Sequence, residues 1–72
     1  MAIEIGTRVY IRPEFDIPDS DLLDPLRALK ANANAGCVYL VREWEYCSND
    51  IGVDFGKHGK WWFREYELEV AP

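Results

Sequence analysis

Apolar and polar residues alternate with a period of two over residues 3–12. Ile5, Thr7, Val9 and Ile11 interleave there with Glu4, Gly6, Arg8, Tyr10 and Arg12. Such alternation predicts a half-buried β-strand. Pro13 ends it, because proline has no N–H to give to a ladder. Glu14-Phe15-Asp16-Ile17-Pro18-Asp19 then reads as a polar loop with two apolar anchors. After it the period changes. Leu22, Leu26, Leu29 and Ala33 recur at spacings of four, three and four, which stacks them on one helical face. Asp24 before Pro25 is a helix-start signal, with the carboxylate as N-cap and the proline at the first helical position. Ser20 or Asp21 is an alternative start for an earlier turn. Asn34 and Gly36 supply the stop, since both tolerate left-handed backbone. The pattern predicts one helix over residues 24–33, with Arg27 and Lys30 on its outer face.

Residues 37–46 form the strongest predicted strand. Val38, Leu40, Arg42, Trp44 and Tyr46 share one parity, and Cys37, Tyr39, Val41, Glu43 and Glu45 share the other. Both faces are mixed, which suits a long, twisted strand passing between two sheets. Ser48-Asn49-Asp50 is a turn cluster. Ile51, Val53 and Phe55 alternate with Gly52 and Asp54 in a third strand. The glycine-bounded Gly56-Lys57-His58-Gly59 connects it as a hairpin to a fourth strand over residues 60–63. Arg64-Glu65-Tyr66 reads as a 3₁₀ turn, and Leu68 and Val70 as a short fifth strand. The expected fold is one mainly β domain over residues 1–72: five strands with one short helix inserted after the first, curled into a partly open barrel. Such a barrel brings the terminal strands together and so limits exposed edges. The competing architecture is an open α+β sheet with the helix on one face.

Size sharpens the core prediction. A chain of 72 residues buries only about 60% of its unfolded surface, so its packing must be rich. Each large aromatic can bury roughly 150–250 Å². Tyr39, Trp44, Tyr46, Phe55, Trp61, Trp62, Phe63 and Tyr66 all lie in the second half; a few of them are expected to make most of the core, with some aromatic surface left exposed for a partner. The formal net charge is −5, and Glu14, Asp16, Asp19, Asp21 and Asp24 follow one another with no Lys or Arg between them. Nucleic-acid affinity depends on Lys and Arg that neutralise phosphates, so direct binding to DNA or RNA is disfavoured. An acidic surface suits a protein partner with a basic surface and speeds that encounter. Equally, it serves solubility alone. Two cysteines allow a disulfide by count; with no secretory leader expected ahead of Met1-Ala2-Ile3, Cys37 and Cys47 are expected instead as free thiols in a reducing cytoplasm. Cys37, Cys47 and His58 match no zinc spacing, and neither a metal nor a cofactor is expected. No apolar run approaches the ~18 residues of a membrane span.

The order of these features resembles Src-homology-3-like small barrels. The likeness lies in Gly6-Thr7-Arg8-Val9-Tyr10-Ile11-Arg12-Pro13, then Gly36-Cys37-Val38 after a long loop, then Ile51-Gly52-Val53-Asp54-Phe55. It ends in Trp61-Trp62-Phe63 and Glu67-Leu68-Glu69. The helical insert departs from signalling domains of this class. Their run of acidic and aromatic residues that grips proline-rich peptides cannot be mapped here, so no peptide-binding residue is carried over. By kind alone, a short acidic domain without an enzyme motif is similar to phage-encoded regulators that dock on host machines. RNA polymerase is a common target of such proteins, with inhibition or antitermination as the outcome.

Candidate partner-binding residues fall into three sets. Trp44, Tyr46, Trp61 and Trp62 are the first. Adjacent Trp61 and Trp62 must point to opposite faces of one strand, so one fills the core. The other is exposed unless the helical insert covers it, and coverage is the favoured expectation. Glu14, Asp16, Asp19 and Asp21 of the acidic loop are the second set, to be weighed against a plain solvated loop whose Asp24 caps a helix. The third is carboxylates on strand faces, Glu43 and Glu45 among them with Asp54, Glu65, Glu67 and Glu69. Paired carboxylates can do acid–base chemistry only in a shaped pocket with a tuned pKa, and a barrel this small is expected to have little room for one. His58 has no nucleophile tied to it and reads as a turn residue.

The expected function is therefore non-enzymatic. The chain reads as a monomeric protein-binding regulator of phage type that docks on a bacterial machine, with RNA polymerase as the expected target, from the host cytoplasm. The first alternative is a nucleic-acid-binding barrel, which requires Arg8, Arg12, Arg42, Lys57, Lys60 and Arg64 to gather on one face beside an aromatic. The second is a phage structural or assembly protein.

Overall fold

The computed structural model describes residues 3–42 and 50–72. Its elements are β1 (Arg8–Ile11), a 3₁₀ turn (Asp21–Leu23), α1 (Asp24–Ala31), β2 (Gly36–Arg42) and β3 (Asp50–Asp54). A second 3₁₀ turn (Gly56–His58), β4 (Lys60–Arg64), a third 3₁₀ turn (Glu65–Glu67) and β5 (Leu68–Val70) complete them. The strands form one antiparallel sheet in the order β4-β3-β2-β1-β5. The fold is thus mainly β with one short helix inserted after the first strand, as the pattern predicts. The chain-terminal strands pair, β1 with β5. The sheet nonetheless stays open, with β4 and β5 as its edges.

β1 is shorter than residues 3–12. Gly6 has φ +95°, and Thr7 N donates to the Glu4 carbonyl at 3.0 Å, so residues 4–7 make a turn. The helix also differs from its expected start. Ser20 is the cap: its hydroxyl accepts from Leu22 N at 3.3 Å at the head of the 3₁₀ turn. Asp24 is the first residue of α1 instead of its N-cap, and Pro25 occupies the first turn, where its missing N–H costs nothing. Leu22 falls on this tighter turn and is 84% exposed, while Leu23 packs on the core in its place. Leu26 and Leu29 are buried as expected.

The helix ends at Ala31, two residues short of the expected 24–33, and its left-handed closing residue falls one position before Asn34. Ala33, with φ +51°, is the left-handed residue. Asn34 N reaches the Leu29 carbonyl and Ala33 N the Lys30 carbonyl, each at 3.1 Å. Those two bonds are a Schellman closure built on alanine where glycine is usual.

Aliphatic side chains, and not a few large aromatics, make most of the core, while some aromatic surface stays exposed as expected. The core consists of Ile3, Val9, Ile11, Ile17, Leu26, Leu29, Val38, Ile51, Val53 and Leu68, with Phe55 and Phe63 as its only described rings. The two phenyl rings meet nearly edge-on, with centroids 6.2 Å apart at 75°. Trp61 is only partly buried, and Trp62 and Tyr66 are exposed. Branched aliphatic chains fill the space between a sheet and a short helix more evenly than indoles, which leaves the large rings at the rim. Among the described residues no helix is long and apolar enough to cross a membrane.

One irregularity sets the two faces of the sheet. β2 pairs with β3 in regular register at Cys37↔Asp54 and Val38↔Val53, and then shifts to Leu40↔Gly52, Val41↔Ile51 and Arg42↔Asp50. Tyr39 is the extra residue of a β-bulge. Val38 and Val41 therefore both face inward although their parities differ. The mixed faces of this strand come from the bulge, and not from a passage between two sheets.

Candidate functional site

Strand pairing assembles a single outer face on β1 to β4. Outward residues of β4 are Lys60, Trp62 and Arg64, opposite Asp54, Gly52 and Asp50 of β3. These in turn lie opposite Cys37, Leu40 and Arg42 of β2, and Cys37 lies opposite Arg8 of β1. Because side chains alternate along a strand, Trp61 and Phe63 point to the core side, and Trp62 points out.

Trp62 is 48% exposed. The helix buries Leu26 and Leu29 in the core on the opposite side of the sheet, so it does not cover Trp62 as expected. Trp61 is instead held half-buried, with its Nε1 donating to the His58 carbonyl at 3.1 Å.

Around Trp62 the rings and cations form a stripe. Tyr39 meets it at 6.0 Å between centroids, tilted by 58°. The Arg42 guanidinium lies 5.3 Å from the Trp62 ring centroid, and the Lys60 ammonium 5.1 Å from that of Tyr39. Cation–π contacts at exposed sites are each worth about 0.5–1 kcal/mol, enough to orient these side chains without burying them. Gly52 is the floor: a Cβ there would stand 2.8 Å from Tyr39 Cζ, so only glycine lets that ring lie flat on the sheet. At one end Arg64 pairs with Asp50 at 3.3 Å across the strands. Leu40, 36% exposed, lies across Gly52 from Trp62 and adds apolar surface to the same face.

The predicted acidic set lies elsewhere. Glu14, Asp16, Asp19 and Asp21 are all exposed on the loop that precedes α1. No basic residue interrupts them in sequence, yet the helix brings two. Arg27 donates to the Pro18 carbonyl at 2.9 Å and the Ser20 carbonyl at 2.6 Å, contacts Asp24, and stands 3.9 Å from Asp19. Lys30 donates to the Phe15 carbonyl at 2.5 Å. Both residues were expected on the outer helix face, and both fold back to fasten the loop. Phe15 and Ile17 anchor it to the core as predicted. The loop is therefore a built structure whose remaining carboxylates face solvent. Its charge and the aromatic stripe do not make one composite surface.

Asp16, Ile17, Arg27 and Lys30 line a groove of about 640 Å³ between loop and helix. A smaller one of about 250 Å³ lies between Arg12, Phe15 and Tyr66. The larger groove contains one carboxylate, Asp16, and does not bring a pair of them together. Its cations are the same Arg27 and Lys30 that hold the loop carbonyls. Among the described residues no charged or polar side chain is buried, and no group of His, Cys, Asp and Glu could hold a metal ion. Cys37 is a free, exposed thiol on the outer face. Of the basic residues required by the nucleic-acid reading, Arg8, Arg42, Lys60 and Arg64 share the outer face with Trp62. Arg12 instead ties β1 to β5, with its Nε donating to the Leu68 carbonyl at 2.8 Å. Lys57 projects from the 3₁₀ turn after β3.

Trp44, Tyr46, Glu43, Glu45 and Cys47 lie outside the described residues. Tyr39 and Gly52 belong to the outer face and were not singled out by sequence reasoning. The signal for them is the glycine itself, since glycine inside a strand marks a bulge or a close approach. No family model, curated protein or solved structure matches the chain.

Proposed function

We propose that this chain is a non-enzymatic protein-binding module that docks through the outer face of β2, β3 and β4, with Trp62 as its anchor. The carrying observation is a half-exposed tryptophan mounted on a sheet and held in place by Tyr39 and Arg42. Tryptophan and arginine dominate binding hot spots, and sites on rigid elements keep their geometry better than sites on loops. The strand order β4-β3-β2-β1-β5 and the 3₁₀ turn before β5 support an Src-homology-3-like small barrel as the finer description of the fold.

For the partner, the small size and net charge of −5 support a phage-type regulator of a bacterial machine, with RNA polymerase as the target. The acidic loop then steers the approach toward a basic surface of that machine. The test is affinity capture from bacterial lysate with the wild-type chain and with Trp62→Ala, each checked for folding by circular dichroism. Polymerase subunits captured by the wild type and lost by the variant are the expected result. Equal capture by a folded Trp62→Ala overturns the docking face, and a different captured protein overturns the target.

A second reading has an observation of its own. Arg8, Arg42, Lys60 and Arg64 stand on the aromatic face, as a single-strand-binding platform requires. A low-salt mobility shift with oligonucleotides separates the two: a retarded band favours nucleic acid, and an unshifted one favours protein.

A further inference from the structure

Resting on the docking face just described, we infer that the part of the partner seated on it is an extended acidic peptide segment, added as a sixth strand along the open edge of β4, while the separate acidic loop answers the partner's basic surface. Three features converge on this occupant.

The first is the edge. Among the described residues β4 pairs only with β3. Its five residues, at ~3.3 Å each, offer a template about 16 Å long for main-chain pairing. Arg64 N is already taken by Glu67 Oε1 at 2.6 Å. Pairing of an added strand therefore centres on Lys60 and Trp62.

The second is the row of side chains beside that edge. Lys60, Trp62 and Arg64 follow at two-residue spacing on one face, in the order cation, aromatic, cation. An added strand presents its own row at the same spacing. The complement is an acidic residue, any residue, an apolar residue, any residue, and a second acidic residue. Arg42 and Leu40 on β2 extend the same chemistry inward from the edge.

The third is charge complementarity on an unusual background. The molecule as a whole is acidic, yet among the described residues β1 to β4 turn Arg8, Arg42, Lys60 and Arg64 outward against Asp50 and Asp54, with Glu69 on the far strand β5 opposite Tyr10. A long polyphosphate feels the net charge of −5 over many ångströms. A short segment with two carboxylates lies within about one Debye length of the local cations, roughly 8–10 Å at ordinary salt. Only a peptide, moreover, can pair with a strand edge.

The experiment is a peptide-display selection on the full chain with random peptides of about ten residues. Enriched peptides are then measured by fluorescence anisotropy on the wild type, Trp62→Ala, the double variant R42E/K60E and the milder R42Q/K60Q. An oligothymidylate of similar charge serves as competitor. The expected result is enrichment of acidic–apolar–acidic spacing, with affinity reduced at least about tenfold by Trp62→Ala and by either folded charge variant. Methylating the peptide's backbone nitrogens is expected to abolish binding, and the amide resonances of residues 60–62 are expected to shift. Neutral or basic peptides that still depend on Trp62 overturn this inference and leave the docking face standing. So do acidic peptides that tolerate backbone methylation. Peptides indifferent to Trp62→Ala, no enrichment at all, or binding of the oligothymidylate alone overturn both.

Discussion

Replacing Gly36 with alanine measures how closely β2 is pressed on the core. Gly36 is buried and lies opposite Val9 in the β1–β2 pairing. A Cβ at this position would stand 2.5 Å from Val53 Cγ1 and 2.8 and 2.9 Å from Phe55 Cδ1 and Cε1. Carbon atoms rest comfortably at about 3.5–4.0 Å, so these neighbours must retreat by about 1 Å. Neither has space to do so: Val53 is fully buried and Phe55 is packed on Phe63. Overpacking a core typically costs about 1–3 kcal/mol. Alanine also stiffens the unfolded chain, which returns about 0.4–1 kcal/mol. The net loss is about 1–2 kcal/mol. In a domain this small each kcal/mol moves Tm by ~4–8 °C, so Gly36→Ala is expected to melt roughly 5–15 °C below the wild type. Thermal unfolding followed by circular dichroism reads the shift directly. Gly52→Ala is the control, because its Cβ meets Tyr39 on the outer face, where the ring can swing into solvent. It is expected to lose less stability, and to lose instead the ring-current shifts between Tyr39 and Trp62. A Gly36→Ala variant as stable as the wild type, or less perturbed than Gly52→Ala, would refute this account of the packing.

Three further outcomes follow from the same structure. Ala33→Gly relieves a left-handed alanine, which costs ~1–2 kcal/mol, against the entropy that glycine adds to the unfolded chain. A net gain of about 0.5–1 kcal/mol is expected as a higher urea midpoint, and a lower one contradicts the left-handed closure of α1. Arg27→Ala removes the bonds to the Pro18 and Ser20 carbonyls. Because that side chain is partly solvated, the expected stability cost is about 1 kcal/mol, with faster amide exchange and protease cleavage confined to residues 13–20; unchanged exchange there would show the loop to be held by Phe15 and Ile17 alone. Finally, the charged loop and sheet face make association with a captured partner salt-dependent. The association rate is expected to fall several-fold between about 50 and 300 mM salt, and a rate indifferent to salt removes electrostatic steering from the mechanism.

Much of the fold was legible because it is encoded locally. Leu26 and Leu29 announce the buried side of α1, and Ile51, Val53 and Phe55 announce that of β3, by spacing alone. The glycines around Lys57 and His58 mark the hairpin, and the helical insert is found by its change of period. The candidate site was legible in part. That Trp61 and Trp62 face opposite ways follows from one strand's geometry.

Which of the two faces solvent depends on where β3 and α1 lie, and this is a property of the assembled chain. Parity could not place Tyr39 either, since a bulge becomes visible only when β2 is set against β3. Arg27 and Lys30 read as outward on an isolated helix; a loop that precedes the helix in sequence and packs beside it in space turns them inward. The sequence by itself determined the elements, their order and the sign of the overall charge, because periodicity and turn chemistry act over a few residues. Tertiary structure alone decided which aromatic meets solvent and which cations gather beside it, because register and packing join residues that spacing along the chain does not relate.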